Sequence, residues 1–532
     1  MSEVRPEAPG FPSRRLAWST AAFAGATGLS RILGLAREIV ARSYFGVEGA
    51  GINAFTVAFQ VPNLVRALVA DAALSGAFVP VFTELLEKGE RARAWRVASS
   101  LIWILLLGLT AITAVFVLAA PWVMSFFGYT GEDGEVAVTL ARILFPIVVL
   151  LGVSGVIVGI LNSYEEFTIP ALTPVAWNLA IIVGLVIGVP RAGSEDAELY
   201  VYAGSIVVGT VIQLLLPLPW LAGLDGRLRV AIDWRDPAVK RVFVLMLPVT
   251  LGLGLINFTA VIGTFFAARL IDRDLAPSAI DAAFRLYMLP QGMFSVAVAT
   301  VLFPALSRLA ARDELDGFRR TVSMGLRQIA FLLIPASVVT ALLAEPIVRL
   351  VYQRGEFGPD ETRVVAGALA AFSLGLAFNG AMLMLNRAFF GLQSPWTPTA
   401  VALATLIANT ALYGLFYRLG TWGIPLAISV ANVIGTVALV VLLRRRLGRL
   451  EIAETVRSVL RILAASIVFG AVAFGVWWLL DEALGRAFPA QVVSVFGALA
   501  VGGVAYLFSA RLLGVRELNA LLSLRSRARP AE

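Results

Sequence analysis

The sequence predicts an all-α membrane protein of about fourteen spanning helices, and three observations lead there. Hydrophobic residues make up 59% of the 532 and charged residues only 15%, with a mean hydropathy of +0.85. The apolar excess falls in runs of about 20 residues, the length a helix needs to cross a hydrocarbon core of roughly 30 Å. The runs are continuous, whereas a transmembrane β-barrel alternates apolar and polar at every second residue.

The elements follow in order. A polar tail, 1–16, lacks the small-residue cleavage site of a removable signal, so the first span, 17–46, is expected to stay in place. Spans two to six cover 52–83, 97–127, 136–162, 169–189 and 199–221. Spans seven to twelve cover 237–270, 279–311, 318–344, 361–390, 396–418 and 422–443. Two more, within 456–513, precede a C-terminal tail, 514–532. Turn-forming runs separate them, such as 129–134, 190–193 and 354–359.

Neither cysteine nor histidine occurs, which excludes disulfides, thiol chemistry and histidine acid–base catalysis. Zinc and haem sites built on those residues are excluded with them. No nucleophile–base pair and no phosphate-cradling glycine loop appears, so no enzymatic activity and no cofactor are expected. The net charge is +8, and almost all basic residues are arginine. On the loops these charges sort by side: about 27 lie on the termini and after even-numbered spans, against about 9 elsewhere. By the positive-inside rule both termini are cytoplasmic. The basic surplus is then a topology signal, with anionic-lipid contact a lesser role, and nucleic acid is not the expected partner.

An internal repeat divides the chain. Leu161-Asn162 and Leu385-Asn386 each precede Thr-Pro at the same spacing, Thr173-Pro174 and Thr397-Pro398. Asn53-Ala54 and Asp281-Ala282 are each followed at one spacing by a proline, Pro62 and Pro290, and the two offsets nearly agree. Spans one to six (17–221) and seven to twelve (237–443) therefore read as two related lobes running parallel. Spans thirteen and fourteen are an addition.

Ionisable residues within spans cost several kcal/mol and normally face a cavity or a partner. In the first span Glu38 can pair with Arg42 one turn later, but Arg31 and Arg37 find no acid at helical spacing. The second span gathers Asn53, Thr56, Gln60, Asn63, Asp71 and Ser75 into one polar sector, broken by Pro62. Arg66 lies outside that sector and lacks a local acid. Arg285 has Asp281 one turn earlier. Arg142 and Arg327 lie near span ends and are expected to snorkel. Two readings compete for the arginines. One is interhelical ion pairing, and the other is a cationic cavity for an anion, where the planar fork suits phosphate. The surplus of arginine over acid favours the cavity.

Ser30-Arg31-Ile-Leu-Gly34-Leu-Ala-Arg37-Glu38, Phe59-Gln-Val-Pro62-Asn63-Leu-Val-Arg66, Ala77-Phe-Val-Pro80 and Tyr352-Gln-Arg-Gly-Glu-Phe357 resemble the MurJ/MviN family of the MOP exporter superfamily. The segments 159–174 and 387–398 resemble it too, so the likeness covers nearly the whole chain. The resemblance implies a two-lobed helical bundle in the bacterial cytoplasmic membrane. It would flip lipid II, a polyprenyl-diphosphate-linked peptidoglycan precursor, outward by alternating access. It places diphosphate-binding roles on Arg31, Arg37, Arg66 and Arg285. Ser30, Glu38, Asn53, Gln60, Asn63, Asp71 and Asp281 would be polar cavity or gating residues. The last two helices would make a groove for the lipid tail. A monomer is expected, with cell-wall synthesis proteins as further partners and coupling to the membrane potential or a monovalent cation.

The chain also departs from the family pattern. Asn53 stands where many members have Asp, Phe284 replaces an acid, and spans eleven and twelve hold no carboxylate. Asn257, Asn409 and Thr436 are left as neutral oxygens for an ion, or as ordinary helix–helix bonds. Three other readings stay open: a flippase for another polyprenyl-diphosphate oligosaccharide, a multidrug or organic-ion antiporter of the same superfamily, and a membrane scaffold.

Overall fold

The computed structural model describes residues 14–69, 72–448 and 451–518. It is helical throughout, with no strand among the described residues. Ten helical stretches there are long and apolar enough to cross a membrane, or up to eleven if a bent pair counts as one span. Chain contacts divide the molecule into two units. One holds residues up to Ala41 together with Ala54–Val261, and the other holds Arg42–Asn53 with Ile262 onward.

The first unit contains most of α1 (Arg14–Phe45) and α2 (Ala50–Val69), then α3 (Ala72–Glu87), α4 (Arg91–Phe126), α5 (Gly131–Leu144), α6 (Ile147–Ser163) and α7 (Thr168–Val183). It continues through α8 (Glu195–Leu215), the short α9 (Leu218–Leu221) and most of α10 (Pro237–Phe266). The helix α2 runs straight through Pro62 rather than breaking there. The expected span 136–162 is found as one apolar stretch, Gly131–Ser163, interrupted at Phe145-Pro146, where proline cannot supply the amide that would continue the ladder. Apolar side chains along the outer face of α4 are widely exposed, Leu118 and Trp122 by 73% and 76%. A soluble fold would bury them, and a bilayer covers them.

The connection between α9 and α10 is docked rather than loose. Ser99 and Ser100 hydroxyls accept from the Arg229 and Asp233 amides at 3.1 and 3.0 Å. Arg93 donates to both oxygens of Asp236 at 3.1 Å, and Tyr164 donates its hydroxyl to Asp225. The Arg93 bond holds the Asp236 carboxyl below its ordinary range, and the Tyr164 hydroxyl does the same for Asp225. Burial, with Asp225 beside it, pushes Tyr164 up to about 12.

The second unit contains α11 (Ala276–Pro290), α12 (Val296–Ala311), α13 (Leu315–Leu342), α14 (Ala344–Tyr352), α15 (Pro359–Ser373) and α16 (Leu376–Gly391). It closes with α17 (Trp396–Phe416), α18 (Gly423–Leu447), α19 (Ile452–Leu484) and α20 (Phe488–Leu512). The helices α15 and α16 form the bent pair, meeting at 43°. The segment Arg42–Asn53 is seated on this unit by Glu361, whose Oε1 accepts from the Glu48 amide at 2.9 Å. Gly46 and Gly355 permit that seating. Both are left-handed (φ 57° and 59°), and a Cβ on either would strike Glu361 Oε1 at 2.5 Å or Ser43 O at 2.1 Å.

One sequence expectation is extended and one corrected. Between the span expected to end at 344 and the turn 354–359 lies a further short helix, α14, whose Arg349 binds Glu345 at 3.0 Å and Asp481 of α19 at 3.2 Å. Arg327 does not snorkel. Its Nε reaches Glu517 at 3.0 Å, with Glu451 and Glu454 at 3.5 and 3.9 Å, and its side chain is only 15% exposed. The acids lie far along the chain, so spacing within α13 gave no hint of them.

Candidate functional site

In the second unit, Asp281 lies between two arginines. On α11 the four-residue spacing brings Arg285 Nε to 2.9 Å from Asp281 Oδ2, as one helical turn requires. Arg42 Nη2 reaches the same oxygen at 3.1 Å, and its Nη1 donates to the Ser278 hydroxyl. Arg42 is buried, while the Arg285 side chain is 37% exposed. Asp281 is thus shared by two guanidiniums, of which Arg285 is the more accessible. Arg42 was not among the residues expected to matter here. Its acid partner is 239 positions away, and only the seating of 42–53 brings it near.

Asn53, expected as a cavity residue, is fully enclosed. Its amide nitrogen lies 2.9, 2.9 and 2.6 Å from the carbonyls of Val47, Gly49 and Asp274. Its oxygen accepts from the Ser278 amide at 2.8 Å. This is a clasp between the start of α2 and the start of α11. It needs a donor facing three carbonyls, which an ionised Asp cannot be.

In the first unit, Arg31 is exposed, with no hydrogen bond or ion pair among the described residues. Ser30 is half-buried, and its carbonyl accepts from Asn178 Nδ2 at 3.5 Å. Arg37 is engaged, contrary to the reading that its own helix offers no acid. Its guanidinium lies 4.8 Å from the Trp177 ring of α7, and Nη2 is 3.6 Å from the adjacent Glu38. Glu38 is buried. Spacing rules for helix faces discount an i,i+1 pair, which is why the sequence pointed elsewhere. Arg66 donates from Nε and Nη2 to Asn63 Oδ1 at 3.1 and 2.9 Å, so Asn63 orients it. Gln60 is half-buried. Asp71 lies outside the described residues.

The three neutral ion-site candidates divide between the units. Asn257 belongs to the first, and Asn409 and Thr436 to the second. Thr436 spends its hydroxyl on the Phe378 carbonyl at 2.8 Å, an ordinary bond from α18 to α16. Asn409 is buried with Oδ1 unbonded. Among the described residues, no group of three or more acidic side chains could hold a metal ion.

A family model described as "Lipid II flippase MurJ" matches residues 41–495. The lipid II flippase MurJ of Burkholderia cenocepacia is 31% identical over 431 residues, covering 79% of this chain and 82% of that one. A probable lipid II flippase MurJ of Vibrio cholerae is 30% identical over 525 residues, covering 95% and 97%. Among solved structures, an inward closed lipid II flippase MurJ superposes with a TM-score of 0.75 at 24% identity, over 92% of this chain and 98% of that one. An inward-facing MATE multidrug transporter of the MOP superfamily follows at 0.69 and 18%, covering 79% and 95%. These two likenesses speak to fold. The chain is a multi-pass membrane protein and belongs to the lipid II flippase MurJ family.

Proposed function

We propose that this protein translocates lipid II across the bacterial cytoplasmic membrane by alternating access, with arginines receiving the diphosphate. The reading rests on family membership and on one observation: cationic side chains stand inside helices that lipid should surround. Arg31 has no partner among the described residues, and Arg285, bound to Asp281, is more than a third exposed. Such groups persist in spans where a cavity or a charged substrate compensates them. Arg66, oriented by Asn63, supplies another fork, whereas Arg37 is already engaged by Trp177 and Glu38.

Both termini are cytoplasmic in this reading, by the loop charges. The hairpin α19–α20 receives the polyprenyl tail, and the protein works as a monomer. An inside-negative potential drives the anion outward by about 2.3 kcal/mol per charge per 100 mV crossed.

Complementation in a bacterium depleted of its own lipid II flippase tests the reading, with membrane abundance followed in parallel. Wild type should restore growth. Arg31→Ala and Arg285→Ala, at normal abundance, should fail. Loss of a charge-assisted phosphate contact should lower lipid II affinity about 10–100-fold. Failure of abundant wild type would transfer the proposal to another polyprenyl-diphosphate substrate. Rescue by both variants would make the arginines structural.

A further inference from the structure

Within the first unit, the end of α4 and one face of α5 border an open pocket of about 590 Å³. Its lining includes Pro121, Ser125, Thr130, Glu135, Thr139 and Arg142. No step of the proposed transport uses it, yet it holds an arginine on a lipid-facing helix.

The placement of Arg142 has a local cause. Pro121 has no amide hydrogen, so the carbonyl one turn earlier, that of Val117, loses its helical partner. Arg142 Nε donates to that carbonyl at 3.3 Å. The bond fixes the guanidinium by one nitrogen and leaves its two terminal nitrogens without a partner among the described residues. Glu135 likewise has no ion-pair partner there. The two residues share one face of α5 and stand about 10 Å apart along its axis, too far to neutralise each other.

Their order along the membrane normal identifies the ligand. The helix α5 starts at Gly131, beyond Trp122 of α4, which is 76% exposed and of the residue type that sits at the membrane interface. Glu135 is therefore the waterward group and Arg142 the deeper one. A phospholipid presents its phosphate toward the tails and its headgroup amine toward water. We propose that this pocket binds the headgroup of a zwitterionic aminophospholipid. Arg142 takes the phosphate through its two terminal nitrogens, and Glu135 with the Thr130 hydroxyl takes the primary ammonium. A purely anionic lipid would meet Glu135 with like charge. A trimethylammonium headgroup has no N–H to donate to either oxygen.

Native mass spectrometry of the full chain in detergent tests this, using phosphatidylethanolamine, phosphatidylcholine and phosphatidylglycerol of one chain length. Wild type should hold phosphatidylethanolamine about fivefold or more tightly than the other two. Arg142→Gln should weaken it about tenfold, with Arg142→Lys between, since a point charge replaces the fork. Glu135→Gln, an exposed change with little bearing on folding, should bring phosphatidylethanolamine down to the phosphatidylcholine level and leave phosphatidylglycerol undiminished. Equal binding of the three lipids by wild type overturns the proposal, and so does a Glu135→Gln profile identical to wild type. Displacement of the lipid by equimolar inorganic phosphate would show a site for free phosphate and overturn it too.

Discussion

Arg42 and Arg285 meet on a single oxygen of Asp281, at 3.1 and 2.9 Å, although Arg42 is nearly buried and Arg285 more than a third exposed. Asp281→Asn keeps the volume and removes a carboxylate that both guanidiniums bind. Removing one partner of a buried ion pair costs several kcal/mol, and the partial exposure of Asp281 sets the expectation at roughly 2–4 kcal/mol. Thermal unfolding in detergent should show a clear fall in Tm. The double change Asp281→Asn with Arg285→Gln should cost less than the two single changes added, since one charge is then relieved. Full additivity would mean that the pair is not coupled.

The sequence showed one half of this arrangement and hid the other. Asp281 and Arg285 are legible because a helix places residues four apart on one face. Arg42 is not, because its contact depends on Glu361 holding 42–53 against the second unit, a relationship across more than 300 positions. The same limit explains Arg327, whose acids lie at the two ends of the α19–α20 hairpin. Long apolar runs fixed the helical class and most helix positions, since bilayer thickness constrains length directly. The break at Phe145-Pro146 is marked by its proline, whereas the short α14 depends on packing that periodicity does not record.

Asn53→Asp tests the clasp. At neutral pH a carboxylate would face the carbonyl oxygens of Val47, Gly49 and Asp274 with no donor, while still accepting from the Ser278 amide. The burial of Asn53 makes that repulsion expensive, at about 2–4 kcal/mol. Protonation restores one donor. The variant should therefore melt well below wild type at pH 7.5, with the gap narrowing by pH 5. An unchanged Tm at both values would rule out the clasp.

Acid should release the connection between α9 and α10. Asp225 and Asp236 have folded-state pKa values below the ordinary carboxylate value of 3.8. Their stabilisation is thus fully present above that value and is lost as pH falls through the depressed ones. Amide hydrogen exchange at 225–236, corrected for intrinsic rate, should be flat from pH 7 to about 5 and accelerate below about 4. Asp236→Asn should exchange fast at every pH. Acceleration beginning near neutrality would point to another group.

Arg327 binds the α19–α20 hairpin to α13 near one end, and Arg349 of α14 binds it through Asp481 near the other. Glu517 is buried, and the Arg327 side chain is 15% exposed, so the pair sits in a medium where an orphaned carboxylate is costly. Arg327→Glu would leave four acids facing one another, with Arg516 reaching only Glu454. We expect a loss of roughly 3 kcal/mol or more. The exchanged pair, Arg327→Glu with Glu517→Arg, should recover part of it, because the attraction is restored with its sign reversed. Arg327→Met tests the alternative that only the aliphatic stem matters. It should also destabilise, by less than the glutamate, because it removes the cation without adding an acid. A methionine variant as stable as wild type would show that the cluster does not hold the hairpin, and the apolar packing of α13 on α19 would then be sufficient.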